Sequence, residues 1–137
     1  MAFVLDNSVV SGWILETQAT PYSEGIAGLL SEQTAVAPPP LCLEYTNVLR
    51  TAVKRRSLIA QTAQEMLVRL AKLPITIDSH PPELSLLFSL ALRHDLTAYD
   101  AAYLELGLRY QLPMATQDVA LAEAAIVAGI GVVQIQG

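Results

Sequence analysis

Short apolar segments alternate with helix-forming segments along almost the whole chain, and this alternation limits the possible folds more than any other feature. The apolar segments hold three to five residues each, too few for a helix, and polar or proline residues bound them. They predict five strands, at residues 3–5, 35–37, 74–78, 113–116 and 131–135. Because strands that alternate with helices are joined by βαβ crossovers, we expect a mostly parallel sheet with helices on both faces.

The segments between the predicted strands carry apolar residues at the three- and four-residue spacing of amphipathic helices. Ser8 is expected to cap the first helix, while Leu41 and Ser57 begin two later ones. The other helices are predicted at residues 22–33, 84–92, 98–110 and 119–128. Since no repeat, linker or shift in composition divides the 137 residues, the sequence predicts one α/β domain over residues 1–137.

Composition excludes several classes of protein. The chain is 53% hydrophobic, which excludes a disordered protein, but no uncharged apolar run reaches the roughly 18–20 residues of a membrane span. Its single cysteine, Cys42, excludes an intramolecular disulfide and a cysteine-based zinc site. The N-terminus lacks the basic region of a signal peptide, and Asp6 comes too early for one. We therefore expect a soluble, cytoplasmic protein that does not act at a membrane.

The charge is acidic overall but unevenly distributed. Thirteen acidic and eight basic residues give a formal net charge of −5, which argues against general binding to nucleic-acid phosphates. Four of the bases nevertheless fall within seven residues: Arg50, Lys54, Arg55 and Arg56. Two interpretations stay open for them. They are cations that stabilise a helix C-terminus, or a local track for an RNA backbone in which Arg50 and Lys54 take part.

Four acidic residues stand at the ends or on the apolar faces of predicted elements. Asp6 follows the first strand and Asp118 the fourth, and ligands of open α/β sheets bind beyond such strand ends. Glu44 borders the apolar stripe of its helix, with no lysine or arginine three or four residues away. Asp100 lies in the first turn of a helix beside apolar neighbours. Each acid also has an ordinary explanation as a turn residue, helix cap or helix-dipole contact.

A divalent cation explains the four acids together better than four separate explanations do, because clustered carboxylates repel one another unless a cation neutralises them. Oxygen ligands with few histidines favour Mg²⁺ or Mn²⁺. Such a site supports the hydrolysis of phosphate esters, since the metal lowers the pKa of the attacking water and stabilises charge on the phosphate.

Four short motifs around these acids resemble those of PIN-domain ribonucleases, and in particular the VapC-type toxins of bacterial toxin–antitoxin pairs. The first is Asp-Asn-Ser at 6–8, and the second is Glu-Tyr-Thr-Asn-Val-Leu at 44–49, with Asn47 one turn after the glutamate. The third, Leu-Thr-Ala-Tyr-Asp-Ala-Ala-Tyr-Leu at 96–104, is the most specific. The fourth is Thr-Gln-Asp at 116–118, followed by Leu121. The resemblance extends over essentially the whole chain.

The resemblance implies a ribonuclease that depends on Mg²⁺ or Mn²⁺ and has four acids in its active site: Asp6, Glu44, Asp100 and Asp118. Asp6 and Asp100 would bind the metal directly, and Asp118 would be a third ligand or act through water. Glu44 would orient the attacking water or bind a second ion.

The same resemblance implies supporting residues and partners. Ser8 and Thr116 would hold the carboxylates through hydrogen bonds. The substrate would be RNA, the protein would be a homodimer, and a small antitoxin protein would place its tail in the groove beside the active site. Asp95 stands where the family often has glycine before Leu96, and aspartate tolerates the left-handed conformation that such a position favours.

Two alternative functions belong to other classes. The first is a catalytically silent PIN-like module that binds RNA or a protein, which a measurement of metal affinity would distinguish. The second is an aspartate-based phosphatase or receiver domain. Ser8 stands where the phosphatase needs a second aspartate, and no lysine follows Lys72 on a late strand, where a receiver domain needs one.

Overall fold

The computed structural model describes residues 1–136, and a sheet of four parallel strands lies at its centre. The strands are β1 (Ala2–Leu5), β2 (Thr34–Ala37), β3 (Ile75–Ile77) and β4 (Met114–Ala115), in the order β3-β2-β1-β4. Within these residues the α-helices are α1 (Asn7–Ile14), α2 (Pro21–Leu29), α3 (Pro40–Lys54), α4 (Ala60–Ala71), α5 (Leu84–His94), α6 (Ala98–Tyr110) and α7 (Val119–Val127). A 3-10 helix, Glu16–Gln18, follows α1.

The strand order explains how the helices are distributed. The chain moves in one direction across the sheet from β1 to β3 and then returns to the other side of β1 for β4. Because parallel crossovers are right-handed, α1 to α4 cover one face, while α5 and α6 cover the other. The packing agrees, since α1 contacts α2 and α3, α3 contacts α4, and α6 contacts α5 and α7. The predicted α/β architecture is confirmed.

The core forms around the two central strands. Phe3, Val4 and Leu5 of β1 are fully buried, as the continuous apolar run of a parallel strand covered on both faces requires. From α6, Tyr103 and Leu104 reach the same core. No helix within residues 1–136 has both the length and the apolar character needed to cross a bilayer.

The fifth strand predicted at 131–135 is wrong as an element, because its pairing is reduced to a single bridge. Val132 pairs in parallel with Met114, whose backbone N–H donates to Gly131 at 3.0 Å and whose carbonyl accepts from Val133 at 2.8 Å. Gly131 has a φ of +73°, which interrupts the extended conformation that a longer strand needs.

Two predicted helix starts are also wrong. Asp6, not Ser8, caps α1, since its side chain accepts the Ser8 N–H at 3.4 Å. Ser57 ends α3 instead of beginning α4: its N–H and hydroxyl both bond the Ala52 carbonyl, at 3.0 and 3.1 Å, after Arg56 turns the chain with a φ of +61°. The helix α4 then begins at Ala60. The other predicted helices are present, with ends that shift by a few residues.

Candidate active site

The site lies where β1 and β4 end side by side. Leu5 is paired with Ala115, and the Asp6 N–H donates to the Ala115 carbonyl at 3.0 Å, so Asp6 and Thr116 emerge next to each other. This is the point at which the strand order reverses, and its carboxyl edge is the usual ligand site of an open α/β sheet.

Asp6 is almost completely buried, with 4% of its surface exposed, and hydrogen bonds hold its carboxylate in place. The hydroxyls of Ser8 and Thr116 donate to its Oδ2 at 2.7 and 2.8 Å, and the Ser8 N–H approaches the same atom at 3.4 Å. Within residues 1–136, all hydrogen bonds to this carboxylate end on Oδ2. Oδ1 is therefore left available to a ligand.

Gln117 holds Ser8 in the position that bonds Asp6, and the sequence predicted no role for Gln117. Its backbone N–H donates to the Ser8 hydroxyl at 2.7 Å, and its side-chain amide donates to the Ser8 carbonyl at 3.0 Å. Its amide oxygen accepts a bond from the Thr20 hydroxyl. Because Gln117 links the start of α1 to the end of β4, it fixes Ser8 in the rotamer that bonds Asp6.

Asp100 and Asp118 both lie at helix N-termini. Asp118 caps α7, since its Oδ1 accepts the Leu121 N–H at 2.9 Å, and its own N–H donates to the Thr116 hydroxyl at 3.0 Å. Asp100 lies in the first turn of α6, where its N–H donates to the capping hydroxyl of Thr97 at 3.2 Å. Both acids are therefore helix-end residues, as their ordinary explanation requires, and both also lie at the site.

Glu44 reaches the site from α3, and Tyr103 holds it there. The Tyr103 hydroxyl donates to Glu44 Oε1 at 2.8 Å. Tyr103 is fully buried, and burial together with the nearby Glu44 raises the pKa of its hydroxyl, so the hydroxyl remains a donor. Tyr103 stands three residues after Asp100, hence on the same side of α6, and this spacing is the signal that would have found it.

The electrostatics link Glu44 to Asp6 and Asp100, and Asp100 to Asp6 and Asp118. Burial raises the pKa of Glu44, and the charges of Asp6 and Asp100 raise it further, against the lowering effect of the Tyr103 hydrogen bond. Burial also raises the pKa of Asp100, with further contributions from Asp118 and Asp6. The two ion pairs within the described residues both belong to Arg109, with Asp78 and Glu105, so neither one neutralises this cluster.

The donor chemistry of the cluster fits a hard divalent cation. No group of three or more Asp, Glu, His or Cys side chains within residues 1–136 is arranged to hold a metal by itself. Mg²⁺ does not need such a cage, because it keeps several waters and binds through one or two carboxylates and a substrate phosphate. The open Oδ1 of Asp6 beside Asp100 suits that mode. Over the described chain, the one buried side-chain oxygen without a partner is Oδ1 of Asn7, directly after Asp6.

The basic cluster divides between two sides of α3. Arg50 and Lys54 line a groove against α4, together with Gln64. Arg55 lines a different groove, between α3 and the segment after α1, which also contains Asn47. Arg50 and Lys54 therefore lie in a different groove from Arg55.

The third motif begins at the left-handed end of α5. Asp95 takes a φ of +52° as the C-cap of that helix, and the Leu96 N–H then donates to the Ala91 carbonyl at 2.9 Å. Asp95 thus adopts the left-handed conformation that was expected from the sequence at this position. Its structural role is to end α5 before Thr97 caps α6.

Comparison with known proteins gives matches of two kinds, one in sequence and one in structure. Ribonuclease VapC1 of Mycobacterium tuberculosis, from strains CDC 1551 / Oshkosh and ATCC 25618 / H37Rv, is 35% identical over 102 residues, which cover 72% of this chain and 74% of the relative. The crystal structure of PAE2754 from Pyrobaculum aerophilum superposes with a TM-score of 0.65 at 19% identity, covering 90% of this chain and 79% of that one. No protein-family model matches the chain.

Proposed function

Because the chain belongs to the VapC family of PIN-domain ribonucleases, we propose that it is a metal-dependent endoribonuclease and the toxin of a toxin–antitoxin pair. It hydrolyses RNA phosphodiester bonds in the cytoplasm with Mg²⁺ or Mn²⁺ as cofactor.

One observation carries the proposal: Asp6, Glu44, Asp100 and Asp118 converge at the carboxyl edge of the sheet without a cationic partner in the described chain. A buried carboxylate that lacks a counter-charge costs several kcal/mol. Asp6 is buried, and the other three acids are half-buried. A chain that keeps the four together, and fixes Asp6 with two hydroxyls, is suited to a ligand that brings positive charge.

The residues take distinct roles in this proposal. Asp6 and Asp100 would bind the metal directly, and Asp118 would contribute a third oxygen or act through a bound water. Ser8 and Thr116 hold Asp6 through Oδ2, so Oδ1 would be the atom offered to the metal. The bound ion would supply Lewis-acid stabilisation of the phosphate and lower the pKa of the attacking water.

Glu44 is suited to handle a proton. Its pKa lies above the usual range through burial and the two neighbouring aspartates, while the Tyr103 hydrogen bond opposes a complete loss of charge. A carboxylate poised in this way accepts a proton from water more readily than an exposed one does. We propose that Glu44 orients the attacking water or binds a second ion.

The proposed partners are RNA, an antitoxin and a second copy of the chain. An exposed apolar stripe on α5 supports the homodimer: Leu84, Phe88 and Leu92 repeat every four residues and are 77%, 66% and 67% exposed. Sedimentation equilibrium should give a dimer that Phe88→Glu converts to a monomer. A wild-type protein that is monomeric at micromolar concentration would contradict the dimer.

The metal is the first point to test. Titration of metal-free protein with Mn²⁺ by calorimetry should give saturable binding, which Asp100→Asn removes or greatly weakens. The same substitution and Asp6→Asn should abolish cleavage of RNA, and growth arrest when the chain is expressed in bacteria, without changing the circular dichroism spectrum.

The outcomes separate the proposal from its alternative. If both substitutions leave Mn²⁺ binding unchanged, the metal does not bind at these acids. Cleavage near the wild-type rate in both variants would contradict the assignment of the active site. If neither metal binding nor cleavage is detected in wild type, while RNA or a protein partner still binds, the chain is a silent PIN-like binding module.

A further inference from the structure

We propose that the groove between α3 and the segment after α1 binds the RNA strand on one side of the cleaved phosphate, with Arg55 as its phosphate contact. The inference rests on the proposed ribonuclease function and names a substrate-binding surface for it. This surface, called the α3 groove here, has a volume of about 430 Å³ and carries six polar side chains: Thr17, Gln18, Asn47, Thr51, Arg55 and Ser57.

Helix geometry connects the α3 groove to the carboxylate cluster. At 3.6 residues per turn, Thr51 and Arg55 lie within about 20° of Glu44 around the axis of α3. Asn47 follows Glu44 by about one turn. Arg55 lies roughly 16 Å from Glu44 along the helix axis. One face of α3 therefore runs from the acid at the site to a cation beyond it. Arg50 lies about 120° away around the same axis and lines the opposite groove.

The chemistry of the lining suits a single nucleic-acid strand. The Ser57 hydroxyl donates to the Ala52 carbonyl at 3.1 Å. Over residues 1–136, the other five polar side chains of the groove make no side-chain hydrogen bond within the protein. They offer hydroxyl and amide groups for ribose and base edges, and one guanidinium for a phosphate. No carboxylate lines the α3 groove, although the chain carries a net charge of −5.

The end of α3 explains why Arg55, and not its neighbour, belongs to this surface. The Arg55 N–H still bonds the Thr51 carbonyl at 2.9 Å, so its position follows the helix. Arg56 takes a φ of +61° and turns away, and Ser57 closes the helix through the Ala52 carbonyl. The two arginines differ in placement but not in charge, which makes Arg56 a matched control.

The test measures RNA binding in the Asp100→Asn background, where the proposed function predicts no cleavage. The probe is a fluorescein-labelled single-stranded RNA of mixed sequence, about 15 nucleotides long, followed by anisotropy across a salt series. We expect Arg55→Gln to weaken binding about three- to tenfold and to reduce the salt slope by about 0.7, the value for one phosphate contact on a single strand. Arg56→Gln should change the affinity by less than about twofold.

A second pair of variants tests the groove without altering an arginine. Gln18→Glu places a negative charge in the α3 groove, and Gln64→Glu places the same charge in the groove between α3 and α4. Both glutamines are exposed, and the replacement hardly changes their shape. We expect Gln18→Glu to weaken RNA binding several-fold and Gln64→Glu to have little effect.

Three outcomes would overturn the inference. Equal losses for Arg55→Gln and Arg56→Gln would indicate general attraction by the basic cluster. Unchanged RNA binding in Arg55→Gln and Gln18→Glu would show that RNA does not bind in the groove. A groove that binds a protein tail instead would give this result. Absence of RNA binding by the parent protein would do the same. If Arg55→Gln selectively loses RNA binding but the wild type cleaves no RNA, the groove proposal is supported and the proposed ribonuclease function is contradicted.

Discussion

Thr116→Val removes the hydroxyl that links two of the four acidic residues. Thr116 is 5% exposed, and its Oγ1 donates to Asp6 Oδ2 at 2.8 Å while it accepts the Asp118 N–H at 3.0 Å. Valine has nearly the same shape, so packing changes little. Asp6 keeps only the Ser8 hydroxyl as a strong donor, and the Asp118 N–H loses the partner that the structure gives it.

The expected cost follows from these two bonds. A hydrogen bond to a charged group contributes about 1.5–3 kcal/mol, and leaving a buried donor without a partner costs about 1–3 kcal/mol. Since the two effects share one hydroxyl and do not simply add, we expect the free energy of unfolding to fall by about 2–4 kcal/mol. Thr116→Ser keeps the hydroxyl and loses one buried methyl group, which costs about 1 kcal/mol.

Urea unfolding of metal-free protein measures the stability, and Mn²⁺ calorimetry measures the consequence for the site. Residues that orient a metal ligand typically change metal affinity about 10- to 100-fold, so Thr116→Val should weaken Mn²⁺ binding in that range while Thr116→Ser stays near wild type. The reasoning is refuted if the two variants lose the same stability. It is also refuted if Thr116→Val costs as much in an Asp6→Asn background as in wild type.

Two further predictions concern the electrostatics of the cluster. Because burial, Asp118 and Asp6 raise the pKa of Asp100, its ionised form disfavours folding, so the metal-free wild type should gain stability from this group as the pH falls through the raised pKa. Asp100→Asn should therefore match or exceed the wild-type Tm at neutral pH without metal and fall below it with saturating Mn²⁺, in thermal unfolding followed by circular dichroism. Tyr103→Phe should cost about 1–2 kcal/mol of stability and raise the pKa of Glu44, moving the acidic limb of the kcat/KM profile to higher pH. The Tyr45 hydroxyl donates to Cys42 Sγ at 3.7 Å and, within residues 1–136, to no acid of the cluster, so Tyr45→Phe should leave that profile unchanged.

The periodicity of the sequence predicted the fold well where one face or both faces of an element are buried. The continuous run at β1 and the apolar spacing of α6 each permit one arrangement in a covered parallel sheet. The predictions were wrong where the conformation of single residues decided the outcome. Gly131 and Arg56 take positive φ values, and no hydrophobic pattern indicates that Arg56 does so.

The site was predictable as a set of acids but not as a geometry. Their positions at strand and helix ends were visible in the sequence, and so was their common edge of the sheet. The contact of Tyr103 with Glu44 spans 59 residues, and its one signal in the sequence is its spacing from Asp100. Gln117 was not found because its contact with Ser8 joins segments 109 residues apart, which only the tertiary structure brings together. The same holds for Arg55, since four neighbouring bases look equivalent until the end of α3 separates them.

The helix caps and the candidate metal site are two uses of the same residues. Asp6 caps α1, Asp118 caps α7, and Asp100 lies in the first turn of α6, so three helix N-termini point into the cluster. Each N-terminus carries partial positive charge and free N–H groups, which contribute about 0.3–1 kcal/mol toward holding a nearby carboxylate in its charged form. This explains how the metal-free chain tolerates adjacent acids without a lysine or arginine among them. Glu44 lies in the second turn of α3, beyond the reach of such an N-terminus, and it is the acid to which a buried tyrosine hydroxyl donates directly.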